Sequence, residues 1–176
     1  KKQNSTDVVV LNTALSDHKG EVDFHLCQKQ EVSSILVPDR QIVDKFPDSA
    51  RFEILKTVKV PVDTIDNQLQ ARHIADVDFI KIDTQGHELA ILKGASNALK
   101  SAIGLEVEVE FLPIYENQPV FRDIDTFIAD QGFELFDIKR YFWKRNNPEI
   151  SPPNQKGQLV MGDALYFRTP ETICNQ

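Results

Sequence analysis

Cysteine is scarce. Cys27 and Cys174 are the only two, too far apart and too few for a disulfide framework or a zinc-ligand spacing, and their scarcity suits a reducing compartment. No apolar run approaches the roughly 18 residues that span a bilayer, and the opening Lys1-Lys2-Gln3-Asn4-Ser5-Thr6 leads into no hydrophobic signal core. Positive charge is also short: the formal net charge is −7, which leaves no basic face able to neutralise a run of phosphates. These absences point away from a membrane, a structural metal and nucleic acid. They predict a soluble, cytoplasmic protein that meets small or neutral molecules, and they are compatible with a homo-oligomer. What is present is an ordinary balance of apolar and charged residues over a length that fits one domain, residues 1–176, with no repeat and no dividing linker.

Periodicity then divides the chain. Val8-Val9-Val10-Leu11 reads as a buried strand, followed by turn chemistry at Asn12-Thr13. Residues 21–26 alternate polar and apolar as a second strand after the turn Asp17-His18-Lys19-Gly20, and the two strands predict a hairpin. Residues 28–52 are broken by Ser33, Ser34, Pro38 and Pro47, a loop long enough to serve as a lid. Residues 57–62 alternate again and run into a short helix that Asp63 or Thr64 can cap.

The strongest buried-strand pattern is 77–83, and Gly86 permits a turn into a helix at 87–99 with Leu89, Leu92 and Leu99 on one face. Residues 104–111 alternate strictly, with Leu105, Val107, Val109 and Phe111 on one side and Glu106, Glu108 and Glu110 on the other. A helix at 121–131 ends at Gly132, and strands follow at 133–138 and 164–167, separated by a polar, proline-containing stretch at 144–158. Strand and helix alternate with short connections, which predicts a mostly parallel α/β sheet finished by antiparallel C-terminal strands. In such sheets ligands collect beyond the carboxyl ends of the strands, which singles out Asp83 to Gly86 and the segment after Phe111.

Lys81-Ile82-Asp83-Thr84-Gln85-Gly86-His87-Glu88, continued by Leu89-Ala90-Ile91-Leu92-Lys93-Gly94-Ala95, resembles the signature of the FkbM-type S-adenosylmethionine-dependent methyltransferases. Asn12 to Asp17, Val60 to Asp66, Glu108 to Phe111, Gly132 to Asp137 and Gly162 to Leu165 resemble further elements of that family in the same order. The resemblance covers most of the chain. It implies a Rossmann-like methyltransferase domain, a three-layer sandwich, with S-adenosylmethionine as cofactor and a hydroxyl on a small molecule or carbohydrate as acceptor. It also implies that Ala14 and Leu15 flank the adenine and that Asp83 and Thr84 meet the amino-acid portion of the cofactor or the acceptor.

Family members carry two earlier strands, one ending in a glycine-rich turn and one in an acidic residue for the cofactor ribose; neither is in this sequence. The chain is therefore expected to be the C-terminal larger part of such a domain, with a gap in its sheet between strands 8–11 and 77–83. A fragment that no longer binds cofactor and serves as an interaction module is the alternative.

Each candidate has a plainer role as well. Asp83 could cap the following helix, although its sheet edge favours function. Glu88 sits in the first turn of its helix, where the macrodipole alone favours a carboxylate. His87 has the chemistry of a general base but is expected to be an exposed histidine. Asp83, His87 and Glu88 do not share a face, which argues against a metal site. Glu106, Glu108 and Glu110 cannot all be buried without partners, and Glu110, nearest the carboxyl end, is the third catalytic candidate beside Asp83 and Glu88, with Glu106 structural. Tyr115, Tyr141, Phe142 and Trp143 are expected in the core rather than as a wall for a flat acceptor.

Overall fold

Alternation along residues 20–27 and 54–63 produces the first sheet of the computed structural model, which describes residues 8–147, 149 and 154–171. Cys174 and residues 148 and 150–153 of the polar stretch lie outside them. Strand β1 (Ala14–Leu15) runs parallel to one side of the long strand that ends at Asp63, and β2 (Gly20–Cys27) runs antiparallel to its other side, with Val22 opposite Val60 and Phe24 opposite Val58. That central strand is β3 (Ile54–Asp63), so the order is β1-β3-β2.

The expected strand at residues 8–11 is not there. Val8, Val9 and Val10 are 80%, 64% and 88% exposed, because among the described residues no strand offers them a ladder and β3 is met only from Ala14 onward. Strand β2 accordingly pairs with β3 in place of the hairpin expected with residues 8–11.

Between β2 and β3 the chain is not structureless. It makes 3-10 turns at Gln30–Val32 and Ser49–Phe52 and a short helix α1 (Arg40–Val43), and it buries Val32, Val43, Phe46 and Phe52 in one apolar cluster with Ile114, Tyr115 and Val160. Helix α2 (Ile65–Gln70) follows β3. Thr64 caps it by accepting from the Asn67 N–H at 3.0 Å, and Asp63 braces the same turn through Thr64, Asn67 and Gln68.

The second sheet carries β4 (Phe79–Ile82), β5 (Gly104–Glu110), β6 (Phe133–Trp143) and β7 (Gln158–Arg168) in the order β4-β5-β7-β6. Strands β4 and β5 are adjacent and parallel, as a strand-helix-strand unit requires. The connecting helix breaks in two, α3 (Glu88–Lys93) and α4 (Ala98–Ser101). The break falls at Gly94, where a Cβ would stand 2.1 Å from the Ser16 carbonyl oxygen, and Asp66 accepts from the Asn97 and Ala98 N–H groups to start α4 again. Helix α5 (Phe121–Asp130) precedes β6, with Gly132 at φ 85° in the turn between them.

Two expectations change here. Strand β4 is an edge strand: Ile80 and Ile82 are buried while Phe79 is 46% exposed and Lys81 pairs with Glu106 at the surface, so it is covered on one face only. The sheets are also less parallel than the alternation suggested. Of five strand pairings among the described residues only β1–β3 and β4–β5 are parallel. Helices α3, α4 and α5 share one core with Ile80, Ile82, Leu105, Val107, Val109, Ala164 and Tyr166. The result is a mixed α/β fold in two sheets, with few helices. Strands β1 and β4 do not pair; an open groove of about 330 Å³ separates them, lined by Leu11, Leu15, Leu69, Phe79 and Ile80 among others.

Candidate functional site

The turn after β4 is built around Glu88. Gln85 (φ 58°) and Gly86 (φ 99°) are both left-handed, and a Cβ at Gly86 would meet Gln118 Nε2 at 2.9 Å, so this position needs glycine on two counts. Glu88 reaches back into the turn: one carboxylate oxygen accepts from the Thr84 N–H at 2.9 Å, the Thr84 hydroxyl at 3.0 Å and the Gly86 N–H at 3.1 Å. Glu88 is fully buried, and its other oxygen has no protein partner. Neither oxygen of the equally buried Glu110 has one, nor has Gln118 Nε2, whose own carbonyl accepts from the Ile114 and Tyr115 N–H groups. Burial raises the Glu88 carboxyl, although its N–H donors oppose the shift. Glu110 is pushed well above the carboxylate range by burial first and then by the charges of Glu88 and Glu108. Facing carboxyls of this kind cannot all ionise together, so the cluster holds protons at neutral pH.

Glu108 links this interior to the surface. It is 8% exposed, and Gln85 Nε2 donates to it at 2.6 Å. Its carboxyl is pushed up to about 8, by burial first, then by the neighbouring charges of Asp83 and Glu88 and by a hydrogen bond to Asp83. Asp83 and Thr84 are exposed at the end of β4. Of the predicted site residues, Asp83 and Thr84 are thus exposed at the end of β4, while Glu88 and Glu110 are buried. Glu108 and Gln85, absent from the predicted site, lie between the two pairs. Strict alternation marks Glu106, Glu108 and Glu110 alike, and only the packing of the 84–86 turn and of residues 112–118 over β5 tells them apart. Glu106 faces Lys81 at the surface.

Ala14 and Leu15 lie in β1, and Leu15 lines the groove toward β4. Beyond them Ser16 Oγ meets His87 Nε2 at 3.0 Å, which ties the end of β1 to the start of α3. His87 is therefore part-buried rather than the expected exposed histidine. Burial, partly opposed by Asp17, holds it below the usual histidine range, so it is neutral at pH 7. Tyr115 is fully buried against Phe52, and Trp143 stacks with Phe46 and Phe52, so both belong to the core. Among the described residues no three His, Cys, Asp or Glu side chains are placed to hold a metal ion, and no helix is long and apolar enough to cross a membrane.

The strand-turn-helix sets these carboxyls at the carboxyl edge of two parallel strands, the edge at which open α/β sheets bind ligands. The methyltransferase FkbM domain family matches residues 1–135, and the chain belongs to that family. No curated protein and no solved structure matches it.

Proposed function

We propose that the protein transfers a methyl group from S-adenosylmethionine to a hydroxyl oxygen of a small molecule or carbohydrate. The observation that carries this reading is the neighbourhood of Asp83 and Glu108 at the strand ends, the first exposed and the second buried and proton-holding near neutral pH. The family match supports the transferase class. In this reading Asp83 and Thr84, exposed at the end of β4, would meet the amino-acid portion of the cofactor, and Ala14 and Leu15, of which Leu15 lines the apolar groove, would meet its adenine. When bound, it supplies an activated methyl group. In this reading the domain is a Rossmann-like three-layer sandwich.

The protein's own contribution is alignment and proton transfer. The acceptor hydroxyl lies against Asp83, and its proton passes to the Asp83–Glu108 pair as the oxygen is alkylated. Burial and the neighbouring acidic groups keep the proton affinity of Glu108 high. A site with this many carboxylates suits a neutral acceptor and disfavours an anionic one.

Methyl transfer to a panel of neutral polyols and glycosides, with Glu108→Gln as control, tests the reading; no transfer to any of them, with cofactor binding intact by calorimetry, would reject it. The second reading is a non-catalytic interaction module that binds no cofactor. Failure of calorimetric titration to detect S-adenosylmethionine binding would move the assignment there.

A further inference from the structure

In a chain of net charge −7, the cations Lys45, Arg51, Lys144 and Arg145 fall on two segments that the fold ties together. The Asn146 N–H donates to the Lys45 carbonyl at 2.9 Å, and Asn146 Nδ2 donates to that of Asp44 at 3.1 Å. Between the segments lies a pocket of about 210 Å³, lined by Phe46, Pro47, Arg51, Trp143 and Lys144. It shares no residue with the carboxyl cluster at β4 and β5.

Arg51 is fixed in the pocket wall without being neutralised. Its guanidinium carbon lies 4.6 Å from the centre of the Trp143 ring and 5.0 Å from that of Phe52, and these two rings pack on each other at 6.2 Å. Cation–π attraction acts on the charge and supplies no acceptor for the five N–H donors. Nε is buried and has no hydrogen-bond partner among the described residues, and none of the ion pairs among them includes Arg51. The acidic residues nearby in sequence do not cancel it: Asp44 pairs with Arg40, Asp48 meets Arg51 through its backbone carbonyl, and Glu53 lines a different pocket. Arg145 adds to the positive field, since it is held over Phe46 by Gln158 Oε1 at 2.9 and 2.7 Å, and that partner is neutral.

A cation held on rigid aromatic walls without a counter-ion favours an anion that enters beside it. Size limits what enters: pockets that enclose whole ligands measure roughly 300 to 1,000 Å³, so this one suits a single headgroup. The planar guanidinium fork matches the paired oxygens of a phosphate or a carboxylate.

We infer that this pocket is an anion site, which takes the phosphate or carboxylate group of a small molecule on Arg51, with exposed Lys144 at its rim. The site does not depend on the methyl-transfer reading. It also asks for one anionic group only, far short of the run of phosphates that the overall charge excludes.

Trp143 is the only tryptophan of the chain, so its fluorescence reports on the pocket directly. The test titrates the protein with inorganic phosphate and, separately, with acetate, each replacing chloride at constant ionic strength. A saturable change with either is expected, and the anion that saturates at the lower concentration names the group. Arg51→Met keeps the stem against the rings and loses the charge, so the apparent Kd should rise about tenfold or more. Lys144→Gln should raise it about two- to fivefold and serves should Arg51→Met not fold. Glu108→Gln, outside the pocket, should leave it unchanged. No saturable response to either anion would overturn the inference, as would a Kd unmoved by Arg51→Met, or by Lys144→Gln where that variant stands in. Loss of the response in Glu108→Gln would overturn it as well, because the anion would then sit at the carboxyl cluster.

Discussion

Replacing Glu108 by glutamine should make the protein more stable and the enzyme far slower, and the stability gain should depend on pH in one direction only. The folded carboxyl is pushed up to about 8 from an ordinary 4.5, chiefly by burial. Below about pH 4.5 it is protonated whether the chain is folded or not, and it contributes nothing to the pH dependence. Between 4.5 and 8 the unfolded chain ionises while the folded one does not, so stability falls as pH rises; above 8 the loss is complete. A shift of that size corresponds to at most about 5 kcal/mol, and after relaxation and water penetration a net effect of about 1 to 3 kcal/mol is expected. Glutamine has nearly the same shape, keeps an acceptor for Gln85 and has no proton to lose. Urea melts of both proteins at pH 5 and pH 9 should therefore show a gap in favour of the variant that opens by that amount at the higher pH. Methyl transfer at saturating substrates should fall by roughly 100-fold or more. Parallel pH dependence of the two melts would refute the argument, because it would mean that Glu108 titrates alike in the folded and unfolded chain.

Three further outcomes follow from single contacts. Asp83→Asn keeps the size and a capping oxygen, so turnover should drop by roughly 100-fold while the melting temperature barely moves; near-normal turnover with a clearly lowered melting temperature would make Asp83 structural. Gly94→Ala should cost more than about 3 kcal/mol in urea unfolding, because its Cβ would stand 2.1 Å from the Ser16 carbonyl oxygen and backbone must move on one side. Arg168→Met should cost about 2 to 4 kcal/mol by the same assay, since the nearly buried guanidinium donates to the carbonyls of Leu99, Ala102 and Gln131 and its loss leaves them unsatisfied.

Much of this architecture is legible in the residues. Strict alternation over 104–110 marks β5, the Thr64 cap starts α2, and Gly86 marks the turn after β4 as it leads into α3; each of these signals is local, set by a residue's own backbone preference or by its immediate neighbours. The failures share one cause. The run at 8–11 has the composition of a buried strand, yet a strand exists only where a neighbour completes its ladder, and none lies beside it. Helix 87–99 reads as continuous until the chain at Ser16 passes against Gly94.

The same division holds in the site. Sequence pattern alone determined the strand-turn-helix, placed Asp83 and Thr84 at its open end and supplied a row of glutamates on one face of the next strand. It ranked Glu110 first by its place near the carboxyl end but could not tell which of them would be covered, since residues two apart on a strand are equivalent until something covers one and not another. Tertiary structure made the choice. Lys81 met Glu106 at the surface, the interior enclosed Glu110, and Gln85 and Asp83 met Glu108 between them, where burial and like charge raise a carboxyl without sealing it from the solvent.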